Sequence, residues 1–82
     1  MIEELELVAL TVDLPKYDLR SGDIGTVVDA PASGEGYQVE FMTVRGETLA
    51  VAAVLPDQVR PIGRYEIASA RLIEPGHAAA MQ

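Results

Sequence analysis

Tyr37, Val39 and Phe41 alternate with Gln38, Glu40 and Met42, a period of two that predicts a strand with one buried and one wet face. Upstream, Glu6–Val12 is apolar, turns β-branched near its end, and stops at Asp13-Leu14-Pro15, where proline cannot donate to a ladder. Glu4 and Glu6 share parity with Val8, Leu10 and Val12, so pairing should begin near Leu7 or a bulge should reset the alternation. Residues 15–23 form a long first loop, Ile24–Ala30 a second strand, and Ala30–Gly36 a turn by composition. Val44-Arg45-Gly46-Glu47 is a hairpin turn, with Gly46 supplying positive φ, and Thr48–Val54 is the fourth strand. Leu55–Ile62 reads as one helical turn, with proline at its first position, followed by a short closing strand.

Assigning one inward face per strand places Leu7, Ala9, Ile24, Val28, Val39, Phe41, Leu49, Val51 and Val59 in the core. Ala50, Ala52 and Val54 then form an apolar strip on a face that is polar in a sheet with one wet side. The bend of the sheet, residues 64–73, or a second subunit in a homodimer are the three ways to cover it. Residues 64–73 are favoured, because Tyr65, Ile67 and Leu72 otherwise have no place to pack. That segment fits neither period well, and its shortness before Glu74-Pro75-Gly76 points to a strand. The fold class is all-β: a small, strongly bent, five-stranded antiparallel barrel of the SH3-like type, with a short 3-10 turn and a C-terminal extension. Asp13 to Val28 carries the usual opening of such a barrel: strand end, proline turn, loop, Gly22-x-x-Gly25 step, β-branched strand. At 82 residues there is one domain, residues 1–73 with the extension, and a flexible tail over 74–82.

Charge narrows the partners. The net charge is −7, and its whole excess lies in residues 1–40, with nine acids against two bases. Nucleic-acid binding draws its affinity from Lys and Arg neutralising phosphates, so nucleic acid is not the favoured partner; a basic protein would be attracted and steered. The chain has no Cys, which removes disulfides and zinc ribbons. Its acidic N-terminus is unlike a signal peptide and no apolar run approaches a membrane span, so the expected location is cytoplasmic, with no membrane partner.

Chemistry has little material. Asp13, Asp18 and Asp23 lie five residues apart without the Asp-x-Asp-x-Asp-Gly pattern of a calcium loop, and read as solvated loop acids. Gly22 and Gly25 precede β-branched residues rather than a helix with a lysine, so they serve the backbone rather than a phosphate. Ser21, Ser33 and Ser69 have only His77, in the tail, as a base. No catalytic, cofactor-binding or metal-binding residue is assigned, and the chain is not read as an enzyme. A polyproline groove of the SH3 kind is aromatic-lined, and Tyr17 with Tyr65 alone would make a thin one.

Val8-Ala9-Leu10-x-x-Asp13-Leu14-Pro15, Leu19-x-x-Gly22-Asp23-Ile24-Gly25-Thr26-Val27-Val28, Tyr37-x-Val39-Glu40-Phe41, Gly46-Glu47-Thr48 and Asp57-Gln58-Val59-Arg60-Pro61 follow one another at ordinary spacings. Together they resemble the small bacterial domain of unknown function family 4926, over about residues 7–62. The resemblance implies an SH3-like barrel and a bacterial accessory gene, some relatives lying beside toxin-like genes. It implies no activity and no catalytic residue. The expected function is a non-catalytic protein-interaction module, an immunity- or antitoxin-like partner of a basic protein, with Tyr17, Asp18, Arg60, Arg64 and Tyr65 as its candidate surface. The Gly22-x-x-Gly25-x-Val27 step more weakly resembles ribosomal and transcription-factor barrels. That supplies the alternative, a KOW-like RNA or ribonucleoprotein binder using Arg45, Arg60, Arg64 and Arg71. A structural accessory subunit of a larger complex is the third reading.

Overall fold

A computed structural model of the chain describes residues 2–73. Five strands and two one-turn 3-10 helices follow one another: β1 (Leu7–Leu10), η1 (Pro15–Tyr17), β2 (Ile24–Asp29), β3 (Tyr37–Met42), β4 (Thr48–Val54), η2 (Pro56–Gln58) and β5 (Val59–Pro61). All pairings are antiparallel, in the order β4-β3-β2-β1-β5. The predicted strands and the 3-10 turn are therefore present, and the β1–β2 register begins at Leu7, one of the two outcomes expected there, while the Leu5 N–H and the Glu6 carbonyl both still bond to Val27.

Register explains the core. Val39 and Phe41 on β3 stand opposite Ala52 and Ala50 on β4, and Val39 also opposes Val27 on β2. Large side chains on β3 thus meet small ones on β4 and a glycine-containing stretch of β2. Val8, Leu10, Leu19, Val27, Val39, Phe41, Ala52, Val54 and Val59 make one cluster. It draws on β4 and β5, the two ends of the strand order. Five flat strands would set those ends about 19 Å apart, so a shared core requires the sheet to curl. Two register shifts, between Val27 and Asp29 and between Phe41 and Met42, help the bend.

The expected parity is right on β3 and wrong on three other strands. Leu7, Val28 and Val51 are exposed, and Ile24 and Leu49 are only partly buried. Val8, Leu10, Val27, Ala52 and Val54 take their places. Ala9 is buried, but it lies on the opposite face from Val8 and Leu10 and outside the core cluster. Consequently Ala50, Ala52 and Val54 are no outward strip: Ala52 and Val54 are buried by the sheet's own bend, and Ala50 stands under Phe41.

The extension also departs from expectation. Residues 62–73 form neither strand nor helix, because no edge pairs with them. They do not cover β4: Tyr65, Ile67 and Leu72 remain 88%, 92% and 84% exposed. The expected tail over 74–82 and His77 lie outside the described residues.

Candidate functional site

The first loop is built by backbone constraints. Leu14 and Leu19 form an isolated antiparallel bridge around η1, and Leu19 is buried in the core. Between them Asp18 turns the chain with φ 61°, its N–H donating to the Pro15 carbonyl at 3.1 Å. A short polar residue tolerates that left-handed geometry better than most. Downstream, the Asp13 carboxylate accepts the Ser21 N–H at 2.9 Å and the Asp23 carboxylate accepts the Arg20 N–H at 2.8 Å. Two of the three evenly spaced aspartates thus fix the loop with their carboxylates, and the third does so with its backbone.

Arg71, from the C-terminal extension, enters this loop. Its Nε donates to Asp23 Oδ1 at 2.9 Å, and its Nη2 donates to Asp23 Oδ2 at 2.5 Å and to the Asp18 carbonyl at 2.9 Å. Side-chain exposure is 29% for Arg71 and 19% for Asp23, so the pair is shielded more than an ordinary surface pair. Partial burial pushes the Asp23 carboxyl up. The Arg71 guanidinium and the Arg20 N–H outweigh it and hold the group below the usual carboxylate range. Hydrogen bonding to the Asp23 carboxylate, helped by the charges of Asp23, Asp18 and Asp13, raises the Arg71 pKa against the opposing effect of burial. A groove of about 470 Å3 lies here, lined by Asp13, Pro15, Asp18, Leu19 and Arg20 of the loop and by Arg71, Leu72 and Ile73 of the extension.

A second anchor holds the start of the extension. Arg60 on β5 donates from Nη1 and Nη2 to the two carboxylate oxygens of Glu66, each at 2.7 Å, and the Gly63 N–H donates to Glu66 Oε2 at 2.6 Å. The Arg60 hydrogen bonds, then the Gly63 N–H, draw the Glu66 carboxyl down to about 2.

Of the five expected surface residues, Asp18 lines the groove. Tyr17 sits beside it on η1, half-buried against the core, with the Lys16 ammonium 5.5 Å from its ring centre. Arg60 is held in the second anchor, and Arg64 and Tyr65 occupy the turn that the Arg60–Glu66 pair closes, the guanidinium 5.3 Å from the ring centre. Of the four arginines of the nucleic-acid alternative, Arg60 and Arg71 are thus paired with carboxylates. Arg71 as a groove residue escaped the sequence reading: its partner Asp23 is 48 positions away, and the segment around it has no period. Among the described residues, no group of three or more His, Cys, Asp or Glu is placed to hold a metal ion, and no helix is long and apolar enough to cross a membrane.

The sequence model of a domain of unknown function, DUF4926, matches residues 4–61, from just before β1 to the end of β5, and the chain belongs to that family. No curated protein and no solved structure matches the chain.

Proposed function

Starting from membership of a family that carries no assigned activity, we propose that the chain is a non-catalytic protein-interaction module whose partner is basic, an immunity- or antitoxin-like role. The observation that carries this reading is the acidic first loop, whose Asp23 carboxylate and Asp18 carbonyl hold a guanidinium. Nine acids against two bases over residues 1–40 extend the same polarity across the first half of the chain. Such a field raises the association rate with a positively charged surface and disfavours acidic ones. Two of the four arginines that a phosphate backbone would need are already spent on carboxylates, which weighs against the RNA-binding alternative.

The experiment is co-purification of the tagged chain from its native cells at low salt and at about 0.5 M salt, where screening acts over only a few ångströms. Expected is a stoichiometric basic protein that is retained at low salt and lost at high salt. An acidic or neutral partner retained at both, or RNA in place of protein, would overturn the reading.

A further inference from the structure

Residues 62–73 run from the end of β5 to the first loop without joining the sheet. Tyr65, Ile67 and Leu72 along this strap are almost fully exposed, so it buries little apolar surface. What ties it down is two ion pairs, Arg60 with Glu66 near its start and Arg71 with Asp23 near its end. The second pair is elaborate for an exposed segment. A single guanidinium makes three hydrogen bonds, two to one carboxylate in a forked arrangement and one to the Asp18 carbonyl. That carbonyl is presented where the chain turns left-handed at Asp18, beside η1. The acceptors belong to a loop that the Leu14–Leu19 bridge and buried Leu19 have already fixed. The acceptor side is therefore built into the fold, whereas the donor side arrives on a weakly held segment.

We propose that the strap is an internal latch: Arg71 occupies, within the same chain, an arginine site made by the Asp23 carboxylate and the Asp18 carbonyl, beside a groove lined by Asp13, Pro15, Asp18 and Arg20, and this site takes an arginine-bearing segment of a partner once the strap lifts away. This deepens the proposed interaction role and rests on it. The planar fork of the site selects arginine over lysine, since an ammonium cannot reach both oxygens of Asp23 and the Asp18 carbonyl in one plane. With two ion pairs and little apolar burial to hold it, the strap exchanges between a predominant closed state and an open one, and the apparent affinity for a competing arginine is scaled down to the fraction of chains that are open.

The test uses the full chain and, as probe, a synthetic peptide of residues 63–73 with blocked ends, titrated while backbone amide shifts are followed. For Arg71→Ala, saturating shifts are expected at Ser21, Asp23 and the Asp18–Leu19 amides, with apparent affinity about tenfold tighter than for wild type. A probe carrying lysine at position 71 should bind several-fold more weakly, and Asp23→Asn placed on Arg71→Ala should lose the shifts while the β3 amides keep their folded positions. Equal affinity for wild type and Arg71→Ala, shifts confined to other surfaces, or no binding by Arg71→Ala would each overturn the latch. A salt-sensitive basic partner co-purifying equally with wild type and Asp23→Asn would overturn the latch while leaving the wider interaction reading intact.

Discussion

Gly25 faces inward from β2, where an added Cβ would lie 2.5 Å from Val39 Cγ1, 2.8 Å from Phe41 Cε1 and 2.9 Å from the Glu40 carbonyl oxygen. The carbonyl belongs to the neighbouring strand and cannot give way without moving the sheet. Gly25→Ala should therefore cost about 1–3 kcal/mol through overpacking, read as a drop in melting temperature. Phe41→Ala removes the largest fully buried side chain and should cost about 3–5 kcal/mol, close to the whole stability of a domain this small. The double variant should cost less than the sum, because the ring that crowds position 25 is gone. Glu66 gives a pH dependence of definite sign. Its carboxyl falls from an ordinary value of 4.5 to about 2 in the folded chain, so its contribution is complete above about 4.5 and is lost as pH falls towards 2. Thermal melts from pH 6 to 2 should show a steeper loss over that window for wild type than for Glu66→Gln.

At the level of strands, β3 disclosed its faces because Gln38 and Glu40 are polar where Val39 and Phe41 are not. β1, β2 and β4 did not, since Leu-Val-Ala-Leu, Ile-Gly-Thr-Val-Val and Leu-Ala-Val-Ala-Ala-Val are apolar or neutral on both sides. Position 25 deepened the error, because a glycine on the inner face looks like an empty place in the pattern, when close approach of β3 is the reason for it. Element positions and turn chemistry were legible: Gly46 has φ 90°, and η2 falls on the proline turn. The loop acids were legible as residues, but the groove was not, because a contact across 48 positions leaves no local trace. β4 ends the strand order and carries no charge from Thr48 to Val54, with Val51 49% exposed opposite Glu40. An uncharged edge of this length is open to pairing with other chains. Val51→Lys should leave stability within about 0.5 kcal/mol and raise the temperature at which light scattering first detects aggregates. Unchanged aggregation would place the vulnerable edge elsewhere.

Taken as a whole, the molecule separates its charges unevenly. The net charge of −7 resides in the half that holds β1, the first loop, β2 and most of β3, while the later half is balanced. With Arg60 and Arg71 engaged by Glu66 and Asp23, the expected affinity for duplex DNA or single-stranded RNA at physiological salt is too weak to measure. Fluorescence anisotropy checks this, and micromolar binding with a steep salt slope would be the contrary result.

The placement of β1 between β2 and β5 has a bearing on synthesis. β1 is made first, yet one of its two edges finds its partner only when Val59–Pro61 has been translated. Until then a nascent chain holding β1 to β4 presents an unpaired edge of Val8, Ala9 and Leu10, the residues that β5 later takes. Non-local closure of this kind is slow relative to local hairpins, and unpaired edges are what chaperones and misassembly both act on. The ribosome, rather than the finished protein, is therefore where this sheet is most exposed to the wrong neighbour.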